Sequence, residues 1–526
     1  MKQGTPYPKS AQLYIARLEK QLEQKDKKIQ TLESQNFILN EKLKLALYRK
    51  YCKSSEQDKG QQSLFAPEWL SDDPEEIKGK ETDVQTVRSY KRRGTKAGRK
   101  ALADSLPRVE KVIDISEEEK QCACGHTLEK IGEETSEHLV VIPEQVYVER
   151  IVRPKYACHY CEGSGDEEHK AVRTSPAPKT LIRGSIAGPE LLAFIFTNKF
   201  SRYQPYYRQE IHFSEIGAAV SRQDMSFWQM KAGKAVAPLL DLLKKELKSG
   251  PVMHMDETGV TVLHEDAKGG EKCKGYMWAA TGGRQGKKVC MYEYHPGRSG
   301  SYADSYLEGY AGWLQTDGYK GYACVEEKHP GVHHALCLAH ARRRFVDALK
   351  ANHKNVFLSQ VLRILEKIYG AEKTLRKQNL EPAVFIKTRK NLCAPFFNSL
   401  KELLDSVPEE QLYSPAIHDA VSYMRNNWEG LTVYLECPDL TPDNNECENA
   451  IRPFVIGRKN WLFSGSSEGA ESSCALFSLI ETAKSNGLKP YEYLREIFSA
   501  VPLFSTPEQW ASLLPWHNKF CSVCKI

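Results

Sequence analysis

No stretch of this 526-residue sequence offers the roughly 18 uninterrupted apolar residues of a membrane span, and its first ten residues, M-K-Q-G-T-P-Y-P-K-S, lack the apolar core of a signal peptide. Both absences argue against a membrane partner and point to an intracellular protein. A strong net charge is missing too. The balance is +6 with 41% hydrophobic residues, which fits a multidomain globular chain. Acids are absent from one stretch: between Arg88 and Lys100 there are none, while Arg92, Arg93, Lys96, Arg99 and Lys100 stand among Gly94 and Gly98. Such a run reads either as a flexible arm that tracks a phosphate backbone or as a solvated linker. It lies in residues 51–105, a polar, charge-blocked segment of weak periodicity.

Ahead of that linker, residues 1–50 carry apolar residues at alternating steps of three and four: Ile15, Leu18, Leu22, Ile29, Leu32, Leu39 and Leu43. Lys25 and Asn36 share the seam, and an Asn at an a position fixes register and favours two strands. A homodimer or higher oligomer through a parallel coiled coil is expected; the competing reading is a helix packed on its own globular body.

Cysteine is plentiful, with 15 in the chain. A reducing compartment disfavours a disulfide framework, so close pairs are read first as metal ligands. In residues 106–180, Cys122-Ala-Cys124 and Cys158-His-Tyr-Cys161 bracket a stretch of strand-like alternation. Two thiolate pairs at the ends of a short sheet suit tetrahedral zinc, so Cys122, Cys124, Cys158 and Cys161 are the expected structural Zn²⁺ ligands. Buried free thiols are the alternative. Residues 181–235 follow with helical spacing, Gly217 at a short turn, and Ser221 as an N-cap before Arg222 and Gln223. This reads as a helix-turn-helix-like DNA-binding segment or as an ordinary helical connector.

The periodicity changes after Gly250, in a region taken as residues 236–486. P-V-M-H-M-D-E-T-G reads as a buried strand ending in acids, G-Y-M-W-A-A-T and K-K-V-C-M-Y-E-Y as antiparallel neighbours, and G-W-L-Q-T-D-G-Y as a fourth strand ending at Asp317. G-V-H-H-A-L-C-L-A-H then runs into a basic helix. Three antiparallel strands followed by alternating helix and strand is the ribonuclease H-like order. Alternation puts Asp256 and Glu257 on opposite faces, and a ribonuclease H-like sheet would make the strands ending at Asp256 and Asp317 neighbours. Carboxylates that close repel unless divalent cations lie between them, as in two-metal phosphoryl transfer. A third acid is needed. After a helical insertion at about 345–440, D-N-N-E-C-E-N-A-I-R offers Asp443 or Asn444 as a cap, Glu446 in the first turn, and Glu448 on a face that can turn inward. Cys337 and His340, near His333 and His334, have metal-like composition, which a core strand feeding a helix explains as well. The fold class expected is therefore multidomain α+β: coiled coil, small zinc-binding β module, helix-turn-helix-like segment, ribonuclease H-like α/β domain with a helical insertion, and a C-terminal tail at 487–526.

The string D-N-N-E-C-E-N-A-I-R-P-F-V-I-G-R-K-N-W-L-F-S-G-S, with D-E-T, T-D-G-Y-K-G-Y and C-L-A-H-A-R-R-R-F before it, resembles the insertion sequence 66 family of bacterial transposases. The resemblance runs over nearly the whole chain. It implies a cytoplasmic, nucleoid-associated enzyme that cuts double-stranded DNA at element ends and joins the 3′ hydroxyls to target DNA. It also implies a catalytic, metal-binding triad of Asp256, Asp317 and Glu448 holding two Mg²⁺ ions, with Mn²⁺ as a substitute. Arg452, Arg458, Lys459 and Trp461 would then face DNA, with a core position as the other reading of Trp461. Accessory proteins of the same element are possible partners. Where the family usually has Arg after the glutamate, this chain has Asn449, and its first cysteine pair is one residue short. The alternatives to a transposase are a hydrolytic ribonuclease H-like nuclease and a non-catalytic DNA-binding or assembly protein.

Overall fold

Neither Pro nor Gly interrupts the chain between Lys9 and Tyr51, and good helix formers fill it, so a single long helix results, α1 (Lys9–Tyr51). The computed structural model describes residues 9–51, 146–157, 172–264, 273–408, 412 and 414–520; the four cysteines and the five arm residues singled out above lie outside them. On α1 the seam residues Leu18, Leu22, Ile29, Leu32, Leu39 and Leu43 are 41% to 64% exposed. The face opposite the seam is docked. Phe37, Asn40, Glu41 and Lys44 border a cleft against Ala351 and Asn352. Glu41 is buried there, its Oε1 accepting from Asn352 Nδ2 at 2.6 Å and from the Ser414 hydroxyl.

A short antiparallel pair, β1 (Lys155–Ala157) and β2 (Val172–Thr174), precedes four helices: α2 (Pro189–Phe200), α3 (Tyr206–Glu215), α4 (Arg222–Ala235) and α5 (Ala237–Lys248). Between α3 and α4 the chain turns at Gly217, whose φ of +79° suits glycine, and Ser221 caps α4 by accepting from Asp224 N at 3.1 Å.

The central sheet is built from β3 (Val252–His264), β4 (Cys273–Gly282) and β5 (Val289–His295), then α6 (Gly300–Leu307), β6 (Gly312–Thr316), α7 (Val325–Lys328) and β7 (Val332–Leu336). Its order is β5-β4-β3-β6-β7, antiparallel across the first three and parallel from β3 to β7. β3 does not end at its acids, as the sequence reading had it. Pairing with β4 continues from Met253 through Val262, and that ladder carries Gly259 within the strand. Asp256 is therefore an interior residue of a long strand.

Among the described residues five α-helices follow: α8 (Leu338–Ala351), α9 (Val356–Leu375), α10 (Pro382–Asp405), α11 (Pro415–Asn426) and α12 (Trp428–Thr432). They enclose their own apolar cluster, which meets the sheet at Val252, Ala335 and Leu336. The excursion leaves and returns at one place. Leu338 N donates to Pro442 O at 2.8 Å, and Gln315 Nε2 donates to Thr441 O at 2.7 Å.

The chain then re-enters the sheet region as α13 (Asn445–Trp461), β8 (Ser464–Ser466), α14 (Ser467–Ser485) and α15 (Pro490–Ala500). α14 is buried from Ala470 to Ala483 except at Glu471, and it covers the outer edge of β5. Ser478 Oγ and Thr482 Oγ1 accept from Tyr292 N and Cys290 N at 2.9 and 3.0 Å, satisfying donors that an edge strand would leave open. Among the described residues no helix is long and apolar enough to cross a membrane.

Candidate metal centre and nucleic-acid interface

The parallel register of β3 and β6 pairs Val252 with Trp313 and His254 with Gln315. Carried two residues further, it sets Asp256 opposite Asp317. Along the same edge β3 next pairs at Val262, with β8, so the stretch between is left for α13 to pack against. Burial, followed by the charges of Glu257 and Asp317 and, more weakly, Glu448, pushes the Asp256 carboxyl up to about 7. The Asp256 carboxyl thus sits within reach of the charges of these neighbouring acids. Asp317 Oδ1 accepts from Tyr319 N at 3.0 Å.

Glu257 faces the other way. Its side chain is fully buried, accepting from Arg298 Nε at 2.6 Å and from the Tyr322 hydroxyl at 3.0 Å. That pairing gives Glu257 a structural role on the face away from Asp256.

Glu448 is brought in by α13, whose first turn is fixed by Asn444. This residue stands at the N-cap position, but its side chain does not cap the helix. It is fully buried, donates from Nδ2 to Met255 O at 3.0 Å, and pairs Oδ1 with His254 Nδ1 at 3.0 Å. Its own N–H donates to Cys337 Sγ at 3.2 Å. Strand, helix start and the β7–α8 corner are thereby tied at one residue. Burial pushes the Cys337 thiol up to about 12, so it stays protonated and serves this contact.

One turn on, Glu448 Oε1 is buried with no hydrogen-bond partner, and Oε2 lies 3.5 Å from Arg343 Nη2. His340 Nδ1 lies 3.8 Å from Oε1. Glu446 points elsewhere, its Oε1 3.3 Å from Lys288 Nζ at the surface. His333 and His334 do not join this group: the first packs on Trp313, and the second pairs with Thr316 Oγ1 at 2.8 Å. Glu448, with its unpartnered buried oxygen, has ligand atoms of Cys337 and His340 within 4.8 Å, while Asp256 and Asp317 supply further carboxylates of the hard-oxygen kind that suits Mg²⁺ or Mn²⁺.

Beside this centre a cleft of about 620 Å³ is lined by Gly259, Val260, Thr261, Lys274, Arg458, Lys459 and Leu462. Arg458 reaches Thr258 Oγ1 at 3.2 Å, while Lys459 and Arg452 are exposed. Trp461 does not share that exposure. It is half-buried, its ring set against Phe200 and Phe477 with both centroids 6.2 Å away, which is the core position. On α4, Gln223 is exposed and Arg222 lies 3.9 Å from Glu210.

Comparison with known proteins gives four matches along the chain. Residues 184–472, spanning the centre and the cleft, match the model described as the transposase IS66 family, more than half of the sequence. The chain belongs to the IS66 family. Residues 478–516 match the IS66 C-terminal element, 119–162 the zinc-finger binding domain of transposase IS66, and 38–110 a transposase homeodomain model. The uncharacterized protein y4jD of Sinorhizobium fredii is 32% identical over 431 residues, covering 80% of this chain and 81% of that protein. Its counterpart y4hP from the same organism is 27% identical over 466 residues, covering 84% and 80%. Membership of the IS66 family with these segments points to a DNA transposase carrying DNA-binding modules, and the finger match points to structural zinc.

Two features of this IS66 transposase escaped sequence reasoning: the cross-link through Asn444, and the approach of His340 to Glu448. The first had a weak signal in the paired asparagines of D-N-N. The second had the C-x-x-H spacing, without any indication of which acid it meets.

Proposed function

We propose that this IS66-family transposase is a DDE enzyme with a ribonuclease H-like catalytic domain, cutting element ends and joining the 3′ hydroxyls to target DNA. The observation that carries this is the register that sets Asp256 opposite Asp317, with Glu448 tied to the same strand through Asn444. The sheet order, three antiparallel strands and then two parallel, is the one such a domain uses.

Asp256, Asp317 and Glu448 would hold two divalent ions. When bound, the ions supply a lowered pKa for the attacking water or 3′ hydroxyl and offset charge on the leaving oxygen. The chain's own work is charge and geometry. Lys274, Arg458 and Lys459 line the cleft and would neutralise phosphates beside the scissile bond, and Arg452 would extend that contact. Arg222 and Gln223 at the start of α4, and the basic arm, would bind DNA further from the chemistry.

Strand transfer with purified protein, oligonucleotide element ends and Mg²⁺ tests this reading. Asp256→Ala, Asp317→Ala and Glu448→Ala should each lower product by at least about a thousandfold with DNA binding nearly intact, whereas Glu446→Ala stays active. An inactive Glu446→Ala beside an active Glu448→Ala would refute the assignment. Cleavage without joining favours a nuclease, and binding without any chemistry favours an assembly protein.

Two copies are proposed to pair through the α1 seam. The docked residues lie opposite the a and d positions, so attachment to the body and pairing with a second helix use different faces. Sedimentation should give a dimer for the wild type, and Leu32→Lys with Leu39→Lys should shift it to monomer; an unchanged mass would sink the seam as the interface.

A further inference from the structure

We propose that His340 supplies a nitrogen ligand, through Nδ1, to the divalent cation that Glu448 binds, and that this position therefore prefers Mn²⁺ to Mg²⁺. The inference rests on the two-metal reading above and adds a non-carboxylate ligand to it. Two buried polar atoms meet without satisfying each other. Glu448 Oε1 and His340 Nδ1 each lack a hydrogen-bond partner, and they stand 3.8 Å apart. That separation is too long for a hydrogen bond. Two donors that share an ion about 2.1 Å from each stand about 3 to 4 Å apart, so it suits a common ion.

The surroundings leave those two atoms free for one ion. Arg343 Nη2 lies by the other Glu448 oxygen, at 3.5 Å. Cys337 Sγ belongs to the same cluster, within 4.8 Å, but it already accepts from Asn444 N at 3.2 Å and anchors the start of α13. The proton of a neutral His340 then resides on Nε2, leaving the Nδ1 lone pair directed at the site. Imidazole suits transition-metal ions, while Mg²⁺ keeps to oxygen ligands, which gives the expected order of preference.

Electron spin-echo envelope modulation on the full-length protein, zinc-loaded and titrated with Mn²⁺, reads the ligand directly, because zinc is silent. The wild type should show ¹⁴N coupling from a bound imidazole. In His340→Gln that coupling should vanish while Mn²⁺ still binds, more weakly by about tenfold, with Mg²⁺ affinity changed by less than about threefold. Circular dichroism verifies folding, and His340→Asn takes its place if His340→Gln does not fold. Mn²⁺ binding that depends on Asp256 but shows no ¹⁴N coupling, or coupling that survives in the variant, overturns the inference and leaves the two-metal reading standing. Mn²⁺ binding insensitive to Asp256→Asn overturns both.

Discussion

Asp256→Asn is expected to abolish DNA cleavage and joining and, with no Mg²⁺ or Mn²⁺ added, to raise the melting temperature of the protein above pH 7. The two effects share one cause. Burial and neighbouring acids lift this carboxyl from 3.8 to about 7. An acid with a raised folded-state pKa weakens the fold once ionised: the penalty is full above pH 7 and fades as pH falls from 7 toward 4, where both states hold the proton. A rise of that size corresponds to at most about 4 kcal/mol. The neutral amide removes the penalty, so the variant should gain several degrees at pH 8 and little at pH 4.5. Added Mg²⁺ should reverse the ranking, because only the wild type then has a charge to pair. Calorimetry on zinc-retaining protein at both pH values, with and without Mg²⁺, checks this. A variant that tracks the wild type across pH would show that Asp256 carries no such burden.

Arg389→Ala is expected to cost the helical excursion about 3–5 kcal/mol, the largest stability loss of any single substitution considered. The guanidinium is fully buried. Nη1 donates to Tyr434 O and Cys437 O, each at 2.6 Å, and Nη2 to Glu372 Oε1 at 2.8 Å and Leu440 O at 3.0 Å. Truncation strands two carbonyls, Tyr434 O and Cys437 O, and leaves Glu372 and the Leu440 carbonyl to Arg376 alone. The Leu440 carbonyl lies just ahead of Thr441 and Asn444, so loosening there should also weaken Mn²⁺ binding at Glu448. Lys390→Ala is the control. Its ion pair with Glu436 is open to solvent and should be worth less than about 1 kcal/mol. Chemical denaturation compares the two, and equal losses would contradict the argument.

What the sequence disclosed follows from the range of its signals. Side-chain alternation is local, so P-V-M-H-M-D-E separates Asp256 from Glu257 without knowledge of the fold. The heptad of α1 and the Gly217 turn are local in the same way. The end of β3 was misplaced because Thr258-Gly259 resembles a break, and only the ladder with β4 keeps it extended. Local sequence offers Asp443 or Asn444 as a cap, and it gives no sign that the Asn444 side chain pairs with Met255, 189 residues away. For Trp461, aromatic and basic neighbours along the chain point to a surface, while Phe200, on a helix far back in the chain, packs against one side of a ring that stays partly exposed.

The hydrogen bonds at Leu338 and Thr441 give the five-helix excursion a single narrow neck. The same helices also rest on the sheet at Val252, Ala335 and Leu336 and on α1 through Asn352 and Ser414, so a segment that leaves and returns at one place can lengthen or shorten only away from those contacts. Relatives should therefore tolerate variation in the parts of α9 and α10 away from these contacts while the residues at the neck stay fixed, and a chimaera that keeps α8, the neck and the sheet contacts should still present all three acids in place.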